Sequence, residues 1–124
     1  MELVHELLLC LILLQVKHLL VDWLFQTQTE IREKGTYGMF GGVLHSGEHA
    51  LGTLIVCMFF TPLAIYIAVV DFILHYHIDW LKSNATAWFK ATPADKTYWF
   101  LMGADQTLHQ GTYLLLAYLT VGIV

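Results

Sequence analysis

The sequence predicts an all-α, polytopic membrane protein in which four transmembrane helices form an up-down bundle. Of the 124 residues, 57% are hydrophobic and only 13% are charged, whereas a soluble domain is about one quarter charged. The hydrophobic residues are grouped in four apolar segments, and each meets or approaches the ~20 residues that a helix needs to cross a bilayer. Strand-type alternation is absent, and inside a bilayer only helices or closed barrels satisfy their own backbone. A single transmembrane domain over 1–124 is therefore expected.

The four segments define the spans in chain order. They cover about 3–26, 43–61, 62–82 and 97–124. Thr61-Pro62 separates the second span from the third, because proline is tolerated at the start of a helix. The connection at this point is too short for anything but an antiparallel hairpin.

Two polar segments connect the remaining spans. Residues 27–42 form a polar loop punctuated by glycine, which is typical of a connection between helices. Residues 83–96 form the second loop, in which Thr92-Pro93 predicts an N-cap followed by proline at the first helical position.

The basic residues predict the orientation in the membrane. Five of the six lie in or at the edge of the two loops: Arg32, Lys34, Lys82, Lys90 and Lys96. By the positive-inside rule, both loops face the cytoplasm and both termini are non-cytoplasmic. The four tryptophans lie in the loops or at the loop ends of spans, as an interfacial belt would. We therefore expect a multi-pass protein of the inner (plasma) membrane, with the lipid bilayer as its partner. The net charge of −4 and the lack of a basic stripe exclude a nucleic-acid footprint.

Each predicted span carries a pair of ionisable or metal-ligating side chains four residues apart. The pairs are His18/Asp22, His45/His49, His75/Asp79 and Asp105/His109. Residues four apart lie on one face of a helix. With a rise of ~1.5 Å per residue, all pairs lie roughly 5–16 Å from the loop side, in the same half of the bilayer. Facing helices of a bundle build metal sites in this way, so we expect the four pairs to converge.

A metal cluster explains these side chains better than hydrogen bonding between helices. A charged side chain costs at least ~2.5 kcal/mol at the bilayer centre, and a polar contact between helices returns only about 0.6 kcal/mol. Histidine and aspartate favour Zn²⁺, Mn²⁺ or Fe²⁺ over Ca²⁺ or Mg²⁺. Eight candidates exceed the four ligands of a closed zinc site, so two or more ions with open positions are expected. The alternative role for some of these eight side chains is to orient a histidine that binds the metal.

Other polar residues lie near these pairs. Asp71 is one turn deeper than His75 on the same face, and is a candidate hydrogen-bond acceptor or proton route. Glu48 lies between the histidines of the second span and is a candidate base. His77 points away from this face, and an interfacial position is expected for it.

The motifs resemble those of a family of small bacterial and phage membrane proteins that is catalogued as a domain of unknown function. The motifs are His18-x-x-x-Asp22-x-x-x-Gln26, His45-x-x-x-His49, His75-x-x-x-Asp79-x-x-Lys82 and Asp105-Gln106-x-x-His109. The resemblance covers nearly the whole chain in motif order. More distantly, the family is similar to membrane-bound metal-dependent hydrolases. A more remote likeness is to the zinc phospholipase C and single-strand nuclease group, whose His/Asp motifs hold a zinc cluster and cleave phosphoesters.

The resemblance implies a membrane-embedded, metal-dependent phosphoester hydrolase. Metal ions would lower the pKa of a bound water toward ~7 and clamp the phosphoryl oxygens. Lys82, Gln26 and Gln106 would contact the anionic substrate, and Asp71 or Glu48 would relay the proton. The interfacial depth favours a phospholipid or an isoprenoid phosphate at the cytoplasmic headgroup level.

Four alternatives remain open from the sequence. The stretch from His45 to His49 with Glu48 fits H-x-x-E-H, which predicts an intramembrane metalloprotease with glutamate as the base. Intramembrane ionisable residues also mark transport paths for metal ions or small molecules. Paired histidines can ligate haem, although the aspartates favour a bare metal. The last alternative is a structural accessory protein of bacterial or phage membranes.

Overall fold

In the computed structural model, which describes residues 2–122, most of the backbone is helical. The helices are α1 Glu2–Leu20, α2 Gln28–Glu33, α3 Phe40–Cys57, α4 Ala64–Trp88 and α5 Lys96–Val121. A π-helical turn, Val21–Phe25, continues α1 without a break. No strand occurs within 2–122, and the predicted all-α class is confirmed.

The four long helices pack as a ring in which neighbours are antiparallel. Helix α1 contacts α3 and α5, and α4 contacts the same two helices from the opposite side. In the α3–α4 pair, His45 lies near Asp79 and Thr53 lies near Asp71, so residue numbers rise along one helix as they fall along the other. The same order relates α1 to α3 and to α5. Helices α1 and α4 therefore lie across the bundle from each other.

Two of these helices could cross a membrane by length and composition. They are the continuous segment Glu2–Phe25 and the helix Ala64–Trp88. Within the described residues, α3 and α5 do not meet the same criterion. Helix α3 has only 18 residues and includes several polar ones, and α5 begins at a lysine and contains acidic and amide side chains. The crossing of the membrane by four helices thus stays a prediction.

The interior of the bundle is divided into an apolar half and a polar half. Away from the loops, Cys10, Leu14, Cys57 and Leu116 pack in an apolar core. On the loop side, most of the buried side chains are polar or charged, among them Lys17, His18, His45, His49, Asp71, His75, Asp79, Asp105 and His109. Large apolar side chains meanwhile cover the outer faces of the helices. This distribution is the inverse of the usual pattern in soluble proteins.

The first predicted loop contains the short helix α2. Its N-terminus is a capping box: Thr27 Oγ1 accepts a hydrogen bond from Glu30 N at 3.3 Å, and Glu30 Oε2 accepts one from Thr27 N at 2.5 Å. Helix α2 packs against the start of α3 at Gly41, where an added Cβ would lie 2.9 Å from the carbonyl oxygen of Thr29. This close approach brings α2 over the polar end of the bundle.

The second predicted loop is shorter than expected, and the N-cap prediction for Thr92-Pro93 is wrong. Helix α4 continues to Trp88, and α5 begins at Lys96 with Asp95 in the N-cap position. The Asp95 carboxylate accepts hydrogen bonds from N and Oγ1 of Thr92, at 2.7 and 2.9 Å, which closes a turn ahead of the helix. These bonds hold the pKa of Asp95 below its usual range.

Candidate metal centre

Asp22 lies on the π-helical turn that follows α1. Gln26 N donates to Val21 O at 2.9 Å across this turn, and π turns inside helices occur frequently at functional sites. The Asp22 carboxylate contacts three imidazoles: Oδ1 is 2.9 Å from His49 Nε2 and 3.3 Å from His45 Nε2, and Oδ2 is 3.1 Å from His18 Nε2. One side chain from α1 thus contacts the predicted pair on α3.

Asp79 lies on the other side of the cluster and, like Asp22, contacts three imidazoles. Its Oδ1 is 3.1 Å from His109 Nε2, and its Oδ2 is 3.4 Å from His45 Nε2 and 3.5 Å from His75 Nε2. Asp105 Oδ1 lies 3.5 Å from the same nitrogen of His109. Because His45 contacts both Asp22 and Asp79, the two carboxylates belong to one cluster.

The imidazole rings of the four helices are in mutual contact. The rings of His49 and His75 stack with centroids 3.6 Å apart, and His75 lies 4.3 Å from His109. His18 completes the cluster at 5.4 Å from His49 and 5.5 Å from His109. The structure therefore brings together all four pairs that the i, i+4 spacing singled out.

The donor atoms fall into two groups that share His75. The groups are Asp22/His45/His49/His75 and His75/Asp79/His109, and within each the donor atoms lie within 4.8 Å of one another. Tetrahedral zinc with bonds of ~2.0–2.1 Å sets its ligand atoms about 3.3 Å apart, and the carboxylate–imidazole contacts above fall close to this separation.

The hydrogen bonding of the cluster also fits metal ions. Among the described residues, His45 Nε2, both ring nitrogens of His75 and Asp105 Oδ1 are buried without a hydrogen-bond partner. Buried polar atoms in proteins nearly always have a partner. Buried nitrogen and carboxylate donors that lack a hydrogen-bond partner suit Zn²⁺ or a similar divalent ion.

A network around Lys17 lies on the core side of the cluster. Lys17 Nζ is 3.0 Å from Asp71 Oδ2, 3.2 Å from His49 Nδ1 and 3.5 Å from the Tyr113 hydroxyl. Thr53 Oγ1 donates to the same Asp71 oxygen at 2.5 Å. Asp71 is thus the partner of Lys17 rather than a member of either donor group.

The predicted substrate-contacting residues differ in their positions. Gln26 and Gln106 lie at the rim, where Gln26 Nε2 donates to the Asp22 carbonyl at 3.2 Å and Gln106 Nε2 donates to Asp105 Oδ2 at 3.1 Å. The side chain of Lys82 forms no hydrogen bond or ion pair with any residue in the described part of the chain. The basic residue at the rim is instead Lys34, whose Nζ is 3.3 Å from Asp79 Oδ2 and 3.0 Å from Gln26 Oε1.

Glu48 faces Glu30, a residue of α2 that belongs to none of the four predicted pairs. Donor atoms of Glu30, His45 and Glu48 lie within 4.8 Å of one another. Burial raises the pKa of the Glu30 carboxyl, but hydrogen bonding to Thr27 outweighs burial and leaves this pKa lowered. The Thr27-x-x-Glu30 spacing is a capping signature that predicts α2, but no sequence signal predicts the contact with His45.

His77 is exposed and lies outside the cluster, with Nε2 3.0 Å from the Tyr37 hydroxyl.

A family model described as "Protein of unknown function (DUF3307)" matches residues 9–124. No curated protein and no solved structure matches the chain.

Proposed function

We propose that this chain, which belongs to the DUF3307 family of proteins of unknown function, is a membrane-embedded phosphoester hydrolase that uses two or more divalent ions, with Zn²⁺ preferred. The observation that carries the proposal is the pair of donor groups sharing the buried, unpartnered His75. Bound divalent ions would supply Lewis acidity and a water whose pKa is lowered toward ~7.

The proposal includes a membrane-spanning role for all four long helices. Helices α3 and α5 carry apolar side chains on their outer faces, among them Leu51, Ile55, Leu114 and Tyr118, each more than half exposed. Such a surface is suited to lipid, and the polar side chains are turned inward. By the positive-inside rule, the loops that contain Lys34 and Lys90 face the cytoplasm and the termini lie on the other side.

The rim residues support an anionic substrate. The side chain of Asp22 is 25% exposed and that of Lys34 is 17% exposed, so the cluster is accessible between α1 and α2. Lys34 offers a cation at this opening, next to the amide of Gln26. A phosphate group carried by a phospholipid or an isoprenoid alcohol would meet these residues at headgroup level.

Asp22 and Asp79 would hold the ions, because each contacts several imidazoles. Asp105 and Gln106 would orient His109 and the rim of α5. Glu48 lies beside His45, and ligand atoms of the two residues are within 4.8 Å of each other. An H-x-x-E-H protease would need Glu48 as the free base for the attacking water, whereas the proposed phosphoester hydrolase does not, so the role of Glu48 separates these two functions.

The experiment is an activity panel on purified protein loaded with Zn²⁺ or Mn²⁺ in detergent. The panel contains a phospholipid, an isoprenoid phosphate, a soluble phosphodiester and a peptide. We expect phosphoester cleavage that Asp79→Asn abolishes and that Asp95→Asn, in the exposed turn, leaves unchanged. A metal-loaded protein that cleaves no phosphoester would refute hydrolysis of this class. Metal uptake into proteoliposomes would then indicate a transporter, and peptide cleavage that depends on Glu48 would indicate a protease.

A further inference from the structure

Three buried polar atoms face one another beside the metal centre. They are Glu30 Oε1, His45 Nδ1 and Glu48 Oε2, and none has a hydrogen-bond partner within residues 2–122. Glu30 Oε1 is 3.7 Å from His45 Nδ1, and both side chains are only 1% exposed. His45 is thus an unpartnered, buried imidazole directed at two carboxylates.

The local structure holds Glu30 in this orientation. Its Oε2 accepts the hydrogen bond from Thr27 N that closes the capping box, so Oε1 is left free to face His45. Glu33, on the same helix, is directed at α3, where its Oε2 accepts a hydrogen bond from Gly41 N at 2.6 Å. Among the described residues of α2, the buried carboxylate oxygen without a hydrogen-bond partner belongs to Glu30.

The charges of this group require compensation. Two carboxylates at close range cannot both remain ionised without a cation or a shared proton. In the described residues, neither Glu30 nor Glu48 forms an ion pair with a lysine or an arginine. His45 is the basic group that contacts Glu30, and its other nitrogen, Nε2, is directed at Asp22 and Asp79.

We propose that Glu30, Glu48 and Nδ1 of His45 form a separate divalent-cation site, for Zn²⁺ or a similar ion, next to the principal metal centre. Two carboxylates and one imidazole nitrogen match the donor preference of such ions. The imidazole of His45 bridges the two sites, one nitrogen to each, and the proton that it carries as a neutral ring is released to solvent when both are filled. This inference depends on the proposed function in one respect, namely that His45 also binds an ion of the principal centre.

The test is the zinc-to-protein ratio of the full chain in detergent, after dialysis against buffered Zn²⁺, measured by elemental analysis. We expect Glu48→Gln and Glu30→Gln each to lower the ratio by one equivalent and to leave the rest. Glutamine at position 30 still accepts the bond from Thr27 N, so the capping box persists. Glu33→Gln is the matched control and should leave the ratio unchanged.

The outcomes separate the two proposals. If neither Glu30→Gln nor Glu48→Gln changes the ratio, the carboxyls share a proton, and the separate site is refuted while the principal centre stands. If either variant loses all the zinc while its far-UV circular dichroism and gel-filtration profile remain those of the unsubstituted chain, the residue belongs to the principal centre and the separate site is again refuted. If the unsubstituted chain binds no zinc, both proposals fail.

Discussion

Lys17 Nζ lies 3.2 Å from Nδ1 of His49, and this contact joins the histidine–aspartate cluster to a buried ion pair. The contact engages Nδ1 of His49 and leaves Nε2 as the nitrogen that faces the donor group. This Nε2 lies 2.9 Å from Asp22 Oδ1. Lys17 therefore fixes the orientation of the His49 ring relative to Asp22.

Replacing Lys17 by methionine should strongly destabilise the bundle. Asp71 is fully buried, and removal of one partner of a buried ion pair costs about 3–5 kcal/mol. Thermal unfolding in detergent would measure the change, with Lys82→Met as the control. The double variant Lys17→Met/Asp71→Asn should lose less stability than the sum of the single variants. Equal midpoints for Lys17→Met and Lys82→Met would contradict the prediction.

Gly52 gives Lys17 the space to enter the bundle. A Cβ at this position would overlap Cγ of Lys17 and lie 2.9 Å from its Cδ. We expect Gly52→Ala to destabilise the protein by about 1–3 kcal/mol, as overpacking does. At Gly47, on the same helix, a Cβ meets nothing within 4 Å, so Gly47→Ala should be neutral or stabilising by up to about 1 kcal/mol. The expected result is a lower midpoint of thermal unfolding for Gly52→Ala and an equal or higher midpoint for Gly47→Ala.

Loss of His75 should affect both donor groups, because the groups share this residue. We expect His75→Ala to remove ions from both, whereas His109→Ala should remove the ion of one group only. His77→Ala, two residues further along α4 and exposed, is the control. Elemental analysis of gel-filtered protein would show the difference. The shared-ligand arrangement is wrong if His75→Ala and His109→Ala lose the same number of ions.

Metal binding should be lost on acidification. An imidazole binds a metal only in its neutral form, and its ordinary pKa is about 6.5, so affinity falls as the pH drops through and below this value. The measurement is retained Zn²⁺ after dialysis between pH 8 and pH 5. Full retention at pH 5 would contradict this prediction.

The proposed orientation predicts which loops are accessible from outside the cell. Cysteines introduced at Thr36 and Ala94, both exposed in the connections between helices, should resist a membrane-impermeant maleimide in intact cells. A cysteine at Glu2 should react. The native Cys10 and Cys57 are buried and should contribute little background. Labelling at position 36 in intact cells would reverse the orientation.

The sequence predicts the all-α class and the family of unknown function, and both predictions are confirmed. It also selects the four pairs that meet in the cluster, because a spacing of four residues follows directly from helical geometry. Lys34 and Glu30 could not be selected in this way. They reach the cluster from α2, which packs on α3 through the close contact at Gly41, and such contacts leave no periodic signal in the sequence.

The same limit applies to Asp71 and to the π turn. Asp71 shares a face with His75, so the spacing alone could not tell a ligand from the partner of Lys17. The choice depends on how far the lysine side chain reaches from another helix. The π turn at Val21–Phe25 changes the direction of Asp22 locally, and nothing in the residue pattern marks it.

In the proposed membrane topology, the Lys17–Asp71 pair has a consequence for how the chain is inserted. The two segments that could cross a membrane by length and composition, Glu2–Phe25 and Ala64–Trp88, each carry one member of this pair in their interior. During synthesis the first segment is made before its partner exists, so its lysine has no counter-charge until α4 emerges. Assembly of the two segments then neutralises both charges at once, which favours joint over separate integration during biogenesis.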